Sequence, residues 1–405
     1  MIIHKIKRTK PYLIILILIA LAVSPAFALG EGNRNLLLIG VMGLSPIIIL
    51  YFGRFDRINP WLVLFLVSIV IFPLIHQPQS MRWSTILYSV MFCLTFMAYN
   101  ELLNRSYFTP HNYLKLLKYL VLAYFVVLLI QQFCVLTGLP IFNLSNYNIK
   151  EPWKLNSLAA EPSHSARIVP LIMYCYITVK ELVFQSKYNF KVDVKKDIWL
   201  WIAFIWTMVT MGSGTAFLFL TIVLLKFIRF KNLIYVFILV GTIFILVNYF
   251  EITAFERTYK TFIATLTLDE YTIVEADHSA SIRIVPMIIL AKMVDLTNLN
   301  GWFGHGIDYV SSFMSERISG VPEGFSGGGM FQLLIEYGFI PFILFIIFSF
   351  LNSYRKGDYI IAVFWFFLVF AYGVNGQIVW LAIILLYTNK HFHSIYTKKI
   401  KNYGN

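Results

Sequence analysis

The chain has 405 residues, of which 59% are hydrophobic and 13% charged. A soluble domain carries about 25% charged residues, so a soluble core of this composition would have almost no polar surface, and that class is excluded. The net charge of +13 invites a nucleic-acid partner, but its distribution along the chain assigns it to topology and leaves no role for nucleic acid.

The first stretch, "KIKRTKPYLIILILIALAVSPAFA", has the basic start, apolar run and small-x-small ending of a signal peptide. With many apolar segments following, it reads as an uncleaved first helix. Twelve such segments predict twelve membrane spans: 12–29, 35–52, 60–75, 83–100, 116–138, 167–184, 198–211, 215–228, 233–250, 330–350, 358–373 and 376–389. The fold class expected is an all-α polytopic membrane protein, one integral domain over 1–405. With the N-terminus inside, 23 of the 33 Lys and Arg fall on the inner side and 14 of the 20 Asp and Glu on the outer. This is the positive-inside pattern, and it puts both termini in the cytoplasm. Cys93, Cys134 and Cys175 lie in apolar segments and read as small buried hydrophobes. They form no disulfide framework and no metal-ligand spacing.

Residues 198–228 read as a hairpin turning at Gly212-Ser213-Gly214, because a single long helix would put two basic stretches on opposite faces. Each arm rises only about 21 Å at 1.5 Å per residue, against about 30 Å of hydrocarbon. The turn is expected to floor a recess that opens outward, with Ser213 and Thr215 pointing into it.

Two outer loops, 139–166 and 251–329, hold nearly the same phrase: "EPSHSARIVP" from Glu161 and "DHSASIRIVP" from Asp277. Each leads into an apolar helix. After Arg167 the helix is a full span. After Arg283 the run "IVPMIILA" is too short to cross and reads as an interfacial amphipathic helix. Both arginines are expected near the outer headgroup level at helix starts, where helix N-termini favour anions and a guanidinium binds phosphate in a bidentate way. The repeat therefore looks like two halves of one anion site.

Three features resemble the superfamily of Wzy-type polysaccharide polymerases and O-antigen ligases, GT-C-like membrane glycosyltransferases. They are "EPSHSA" after the fifth span, "SIRIVPMIILAKMVDLTNLNGWFGHGIDYV" in the late outer loop, and "GGGMFQLLIEYGFIPFILF" re-entering the membrane. The ligases tend to carry His-Asn where this chain has Ser326 and Gly327, and an Arg in the turn that reads "GSGT" here. These departures favour a polymerase over a ligase. The Arg-x10-Gly loop motif of some polymerases is also missing after Arg167 and Arg283. The resemblance implies a reaction at the outer face of the bacterial inner membrane. A glycan on undecaprenyl pyrophosphate passes to another lipid-linked repeat unit, making O-antigen, capsule or exopolysaccharide and releasing undecaprenyl pyrophosphate. It also implies no metal and no cofactor, with a flippase and a chain-length regulator as further partners. The alternatives are an O-antigen ligase, differing only in its lipid A core acceptor, and a lipid-linked sugar flippase or transporter.

Such a transfer needs a base for the acceptor hydroxyl and cations for the departing pyrophosphate, all on the outer side. That excludes His111, His391 and His393. Glu161 is the first choice of base, with His164 and His278 as alternates or sugar contacts. Arg167 and Arg283 are assigned to the pyrophosphate, with Ser163 and Ser213 beside them. In "GWFGHGIDYV", Gly301, Gly304 and Gly306 allow close backbone approach to a ligand, and Trp302 and His305 face the sugar. Ser326, in "GFSGGGM", belongs to a hinge or a nest of backbone donors.

Overall fold

The computed structural model describes residues 10–25, 27–29, 32–52, 59–143, 152–211, 213–227, 253–276, 278–317 and 327–403. Among these the chain is helical apart from one short hairpin, in which β1 (Phe27–Leu29) pairs antiparallel with β2 (Gly32–Arg34). Two helices are long and apolar enough to cross a membrane: α4 (Trp83–Arg105) and α5 (Pro110–Thr137). Others are apolar but shorter, such as α1 (Tyr12–Ala22), α2 (Leu36–Phe52) and α3 (Pro60–His76). Side chains such as Leu50, Ile75, Phe133, Leu136 and Trp199 stay exposed on the outer faces of the helices. Apolar surface on this scale marks contact with a membrane, and the chain is a helical, membrane-associated protein.

The twelve expected segments are not twelve helices of spanning length. Segment 233–250 lies outside the described residues. Segment 330–350 is cut in two: α15 (Gly329–Tyr337) ends at Gly338, whose φ of +91 breaks the helical path before α16 (Phe339–Ser353). Segment 358–373 is α17 (Tyr359–Trp365) running into a π-helical turn, Phe366–Phe370. Segment 376–389 is the first half of α18 (Gln377–Tyr403).

Helix α6 (Pro162–Phe184) is the axis of the bundle. Its residues from Ser165 to Lys180 are buried without interruption, as expected for a helix that faces protein on every side. It packs against α5, α18, α8 (Ile198–Thr210) and α9 (Gly214–Leu225). Polar contacts tie down both ends of the bundle. At one end Ser24 Oγ donates to Gln377 Oε1 (3.0 Å) and Ser89 Oγ to Asn375 Oδ1 (2.5 Å). At the other, the basic end, Lys180 pairs with Asp197 (2.6 Å) and Lys226 with Glu181 (2.8 Å). The short α7 (Phe190–Lys196) lies at this basic end.

The α8–α9 hairpin turns between Thr210 and Gly214. Phe227, just past α9, returns to within 5.9 Å of the Trp201 ring at the start of α8. Ser213 does not line an open recess. It is buried at the N-cap of α9 and makes no capping bond. Gly212 lies outside the described residues.

Residues 253–317 form a cap of short helices: α10 (Thr253–Thr267), α11 (Glu270–Ala276), α12 (His278–Lys292), α13 (Leu299–Phe303) and α14 (Tyr309–Arg317). The cap has a small core of its own, in which Ile273, Val285, Leu290, Val310 and Met314 meet Ile335 of α15. It also docks on the junction between α3 and α4: His76 Nε2 bonds Asn300 Oδ1 (2.7 Å) and Arg82 pairs with Asp308 (2.5 Å).

Candidate functional site

The loop ahead of α6 is held by a buried polar knot. Gln131 of α5 donates from Nε2 to Asn156 Oδ1 (3.1 Å) and accepts from the Ser157 amide on Oε1 (2.8 Å). Asn156 Nδ2 donates to the Ala159 carbonyl (2.7 Å), and Ser157 Oγ to the Tyr124 carbonyl (2.6 Å). Ser165 Oγ, in the first turns of α6, returns to the Asn156 carbonyl. Each amide of this kind costs free energy when buried unless it is paired, so the knot fixes the path into Glu161. Pro162 then starts the helix at the position where its missing N–H is harmless, with Glu161 as N-cap.

The two copies of the repeated phrase meet at Glu161. Its Oε2 accepts from Ser163 Oγ (3.2 Å) and lies 3.7 Å from Arg283 Nη2 of α12. Both ion-pair partners are open to solvent, with side chains 42% and 37% exposed. His164 occupies the same turn, ahead of the apolar stretch of α6. Burial, and then the charge of Arg167, push its imidazole below the ordinary histidine value. Both effects disfavour the imidazolium, so the ring is held in its neutral form.

Arg167 differs from the expected arrangement. Both arginines were placed by sequence at the start of a helix. Each is instead the sixth residue of its helix, because α6 begins at Pro162 and α12 at His278. Arg167 is therefore about 9 Å further along the α6 axis than Glu161, at 1.5 Å per residue. It is 5% exposed. Its guanidinium lies 4.3 Å from the centre of the Tyr372 ring, a cation–π contact. Among the described residues, Arg167 Nη1 is buried with no hydrogen-bond partner, and so is the Tyr372 hydroxyl.

Glycines fix Tyr372 in place. Gly329 at the start of α15 has φ +57, and a Cβ there would stand 2.8 Å from the Phe370 carbonyl oxygen. A Cβ on Gly373 would stand 2.8 Å from the Gly329 carbonyl oxygen. The described part of "GGGM" thus clamps the turn that carries Tyr372, backbone against backbone. Ser326, just before it, lies outside the described residues.

Trp302, His305 and the glycines around them make contacts of their own. A Cβ on Gly304 would stand 2.2 Å from the Glu336 carbonyl oxygen, and one on Gly301 1.9 Å from that of Asp295. Those glycines admit neighbouring backbone, not a ligand. Trp302 donates from Nε1 to the Leu296 carbonyl (3.0 Å) and meets Phe339 edge-on. His305 stacks on Tyr309 (4.9 Å) with Nδ1 at 3.3 Å from the Ile335 carbonyl. His278 opens α12. Among the described residues no group of three or more His, Cys, Asp or Glu side chains could hold a metal ion.

Sequence reasoning did not reach Tyr372, Gln131 or Asn156. Tyr372 stands more than 200 residues from Arg167 in an aromatic-rich segment, and nothing local marks it. The chain matches no family model, no curated protein and no solved structure. The chemistry of the cluster therefore has to speak for itself. It has a carboxylate and a neutral imidazole at the helix start, a solvent-facing guanidinium beside them, and a buried guanidinium with an unpaired donor deeper along the helix.

Proposed function

We propose that the protein is a polytopic membrane glycosyltransferase of the polysaccharide-polymerase kind, working on undecaprenyl-pyrophosphate-linked oligosaccharides. One observation carries the reading. Arg283, from a distant part of the chain, pairs with Glu161, and the acidic and cationic groups are ordered along α6. Glu161 lies at the helix start and Arg167 about 9 Å deeper. A lipid-linked donor entering from the bilayer has the same order: lipid, then pyrophosphate, then sugar.

In the reaction the acceptor hydroxyl oxygen attacks the anomeric carbon of the donor glycan. Glu161 takes the hydroxyl proton, with neutral His164 the neighbouring acceptor. The C–O bond to the pyrophosphate breaks, and undecaprenyl pyrophosphate leaves with the electron pair. Arg167 and Arg283 stabilise the charge that develops on it. The finer topology belongs to the same proposal: twelve crossings, the Glu161 end outside, and the Lys180–Asp197 end in the cytoplasm, in accord with the bias of basic residues.

The test is polymerisation of purified lipid-linked repeat units in liposomes, with chain length read on a gel. Glu161→Gln should slow chain growth by about 100-fold or more, within the usual range for general-base catalysis. Growth of full-length polymer by Glu161→Gln and His164→Gln together, at the normal rate, would refute the assignment of the base. A wild-type protein that moves the lipid-linked unit across the bilayer without extending it would favour the transporter reading instead.

A further inference from the structure

Arg167 and Tyr372 present an unusual pairing. A guanidinium removed from water is costly unless its charge and donors are met. Here the face of the cation rests on an aromatic ring, but Nη1 has no hydrogen-bond partner. The hydroxyl of that same ring is also buried and unpaired. Two orphaned polar groups, one cationic, thus lie within the width of one phenol ring. Native interiors leave few such groups unmet, and donors of this kind are suited to a ligand that brings its own acceptors. The packing is not loose, because the Gly329–Gly373 contact holds the turn and α6 is buried on all sides.

We propose that Tyr372 and Arg167 form a preformed anchor for a single phosphoryl group, with Tyr372 a substrate-binding residue in its own right. The ring holds the guanidinium flat, so the Nη1 edge is presented and not turned away. The phenol hydroxyl donates to a second oxygen of the same phosphoryl group. A phosphoryl group fits where a carboxylate fits less well, since its tetrahedral oxygens reach donors that are not coplanar. Arg283, half-exposed on the cap, then serves the other phosphate of a pyrophosphate. That the phosphoryl belongs to a lipid pyrophosphate rests on the glycosyltransferase reading; the anchor itself does not.

The experiment measures binding without any sugar. The full chain, purified in nanodiscs, is titrated with inorganic pyrophosphate, farnesyl pyrophosphate and farnesyl monophosphate by calorimetry. Tyr372→Phe keeps the ring and removes only the hydroxyl. It should weaken every probe that binds by about 3- to 10-fold, the usual worth of one hydrogen bond. Tyr372→Leu should weaken them further, because the cation loses its stacking face. Thermal unfolding confirms that each variant is folded, and Tyr372→Phe is conservative enough to remain so. Loss with all three probes identifies the shared phosphoryl chemistry; loss with the farnesyl probes alone identifies a lipid headgroup as the source. If Tyr372→Phe binds every probe within twofold of wild type, or if wild type binds none of them, the anchor is wrong. If the anchor behaves as expected but lipid-linked glycans are never extended, the glycosyltransferase reading falls and the anchor stands.

Discussion

The phrase His-Ser-Ala, Arg-Ile-Val-Pro occurs twice, and each arginine has the same place in its helix, yet the two end in opposite environments. Arg167 is 5% exposed, stacked on Tyr372 and short of a hydrogen-bond partner. The Arg283 side chain is 37% exposed and sits 3.7 Å from Glu161. The cause is the helix, not the phrase. α6 is the buried axis of the bundle, while α12 rests on the small core of the cap and on α15. A like sequence thus supplies one buried cation stacked on a ring and one exposed cation paired with a carboxylate.

Four measurements can break or sharpen this contrast. The largest effect is expected at Arg167. Arg167→Met should lower polymerisation by about 100- to 1000-fold, as for loss of a preorganised charge stabiliser. It should leave thermal stability unchanged or raise it, because replacing a buried charge by an apolar side chain of similar volume is often neutral or stabilising. A variant that is inactive because it is unfolded would remove the distinction between binding cation and structural cation. Next comes Gly329→Ala, which pushes a Cβ against the Phe370 and Ala371 backbone at a positive φ. It should cost about 1–3 kcal/mol in chemical denaturation and weaken phosphate binding along with stability.

Asn156→Ala is third. It strips the knot that leads into Glu161 and should cost about 1–3 kcal/mol, from buried carbonyls and an amide left unmet. Activity should fall more than pyrophosphate binding, since Arg167 stays in place. The smallest effect is expected at Arg283. Arg283→Ala should reduce the rate by about 10-fold at low salt, and by less as ionic strength rises, because exposed charges are screened within about 8–10 Å. Equal losses and equal salt dependence for Arg167→Met and Arg283→Ala would erase the contrast.

Some of this was legible in the sequence. The α8–α9 turn could be placed because two glycines interrupt an apolar run flanked by basic stretches. The apolar run after Arg283 announced α12, whereas the start of α6 lies five residues ahead of the expected one, at Pro162. The repeated phrase pointed to Arg167 and Arg283 as two halves of one site; the contact that joins the two copies is instead Glu161 with Arg283. The depth of Arg167 was not legible, because burial depends on which helices surround α6 and no local pattern encodes that. The glycines of "GWFGHG" were misread for a similar reason. A glycine that admits a ligand and one that admits a neighbouring backbone look the same until the neighbour, here Asp295 for Gly301 and Glu336 of α15 for Gly304, is in place. Twelve apolar segments also overstate the helices of spanning length, since Gly338 divides the continuous hydropathy of 330–350 into two shorter helices.

The short α8–α9 hairpin has a mechanical consequence for the lipid around it. Its arms of 13 and 12 residues rise about 20 and 18 Å, roughly 10 Å less than the hydrocarbon thickness of a bilayer. On the proposed topology such hydrophobic mismatch would be relieved by thinning the bilayer locally. α9 packs directly on α6, so a thinned annulus would adjoin the helix that carries Arg167. Headgroups would dip there, and on the proposed function a long prenyl chain would bring its phosphates level with a guanidinium sunk below the helix start. A deeply placed cation and a surface-bound headgroup would then meet without either leaving its own medium.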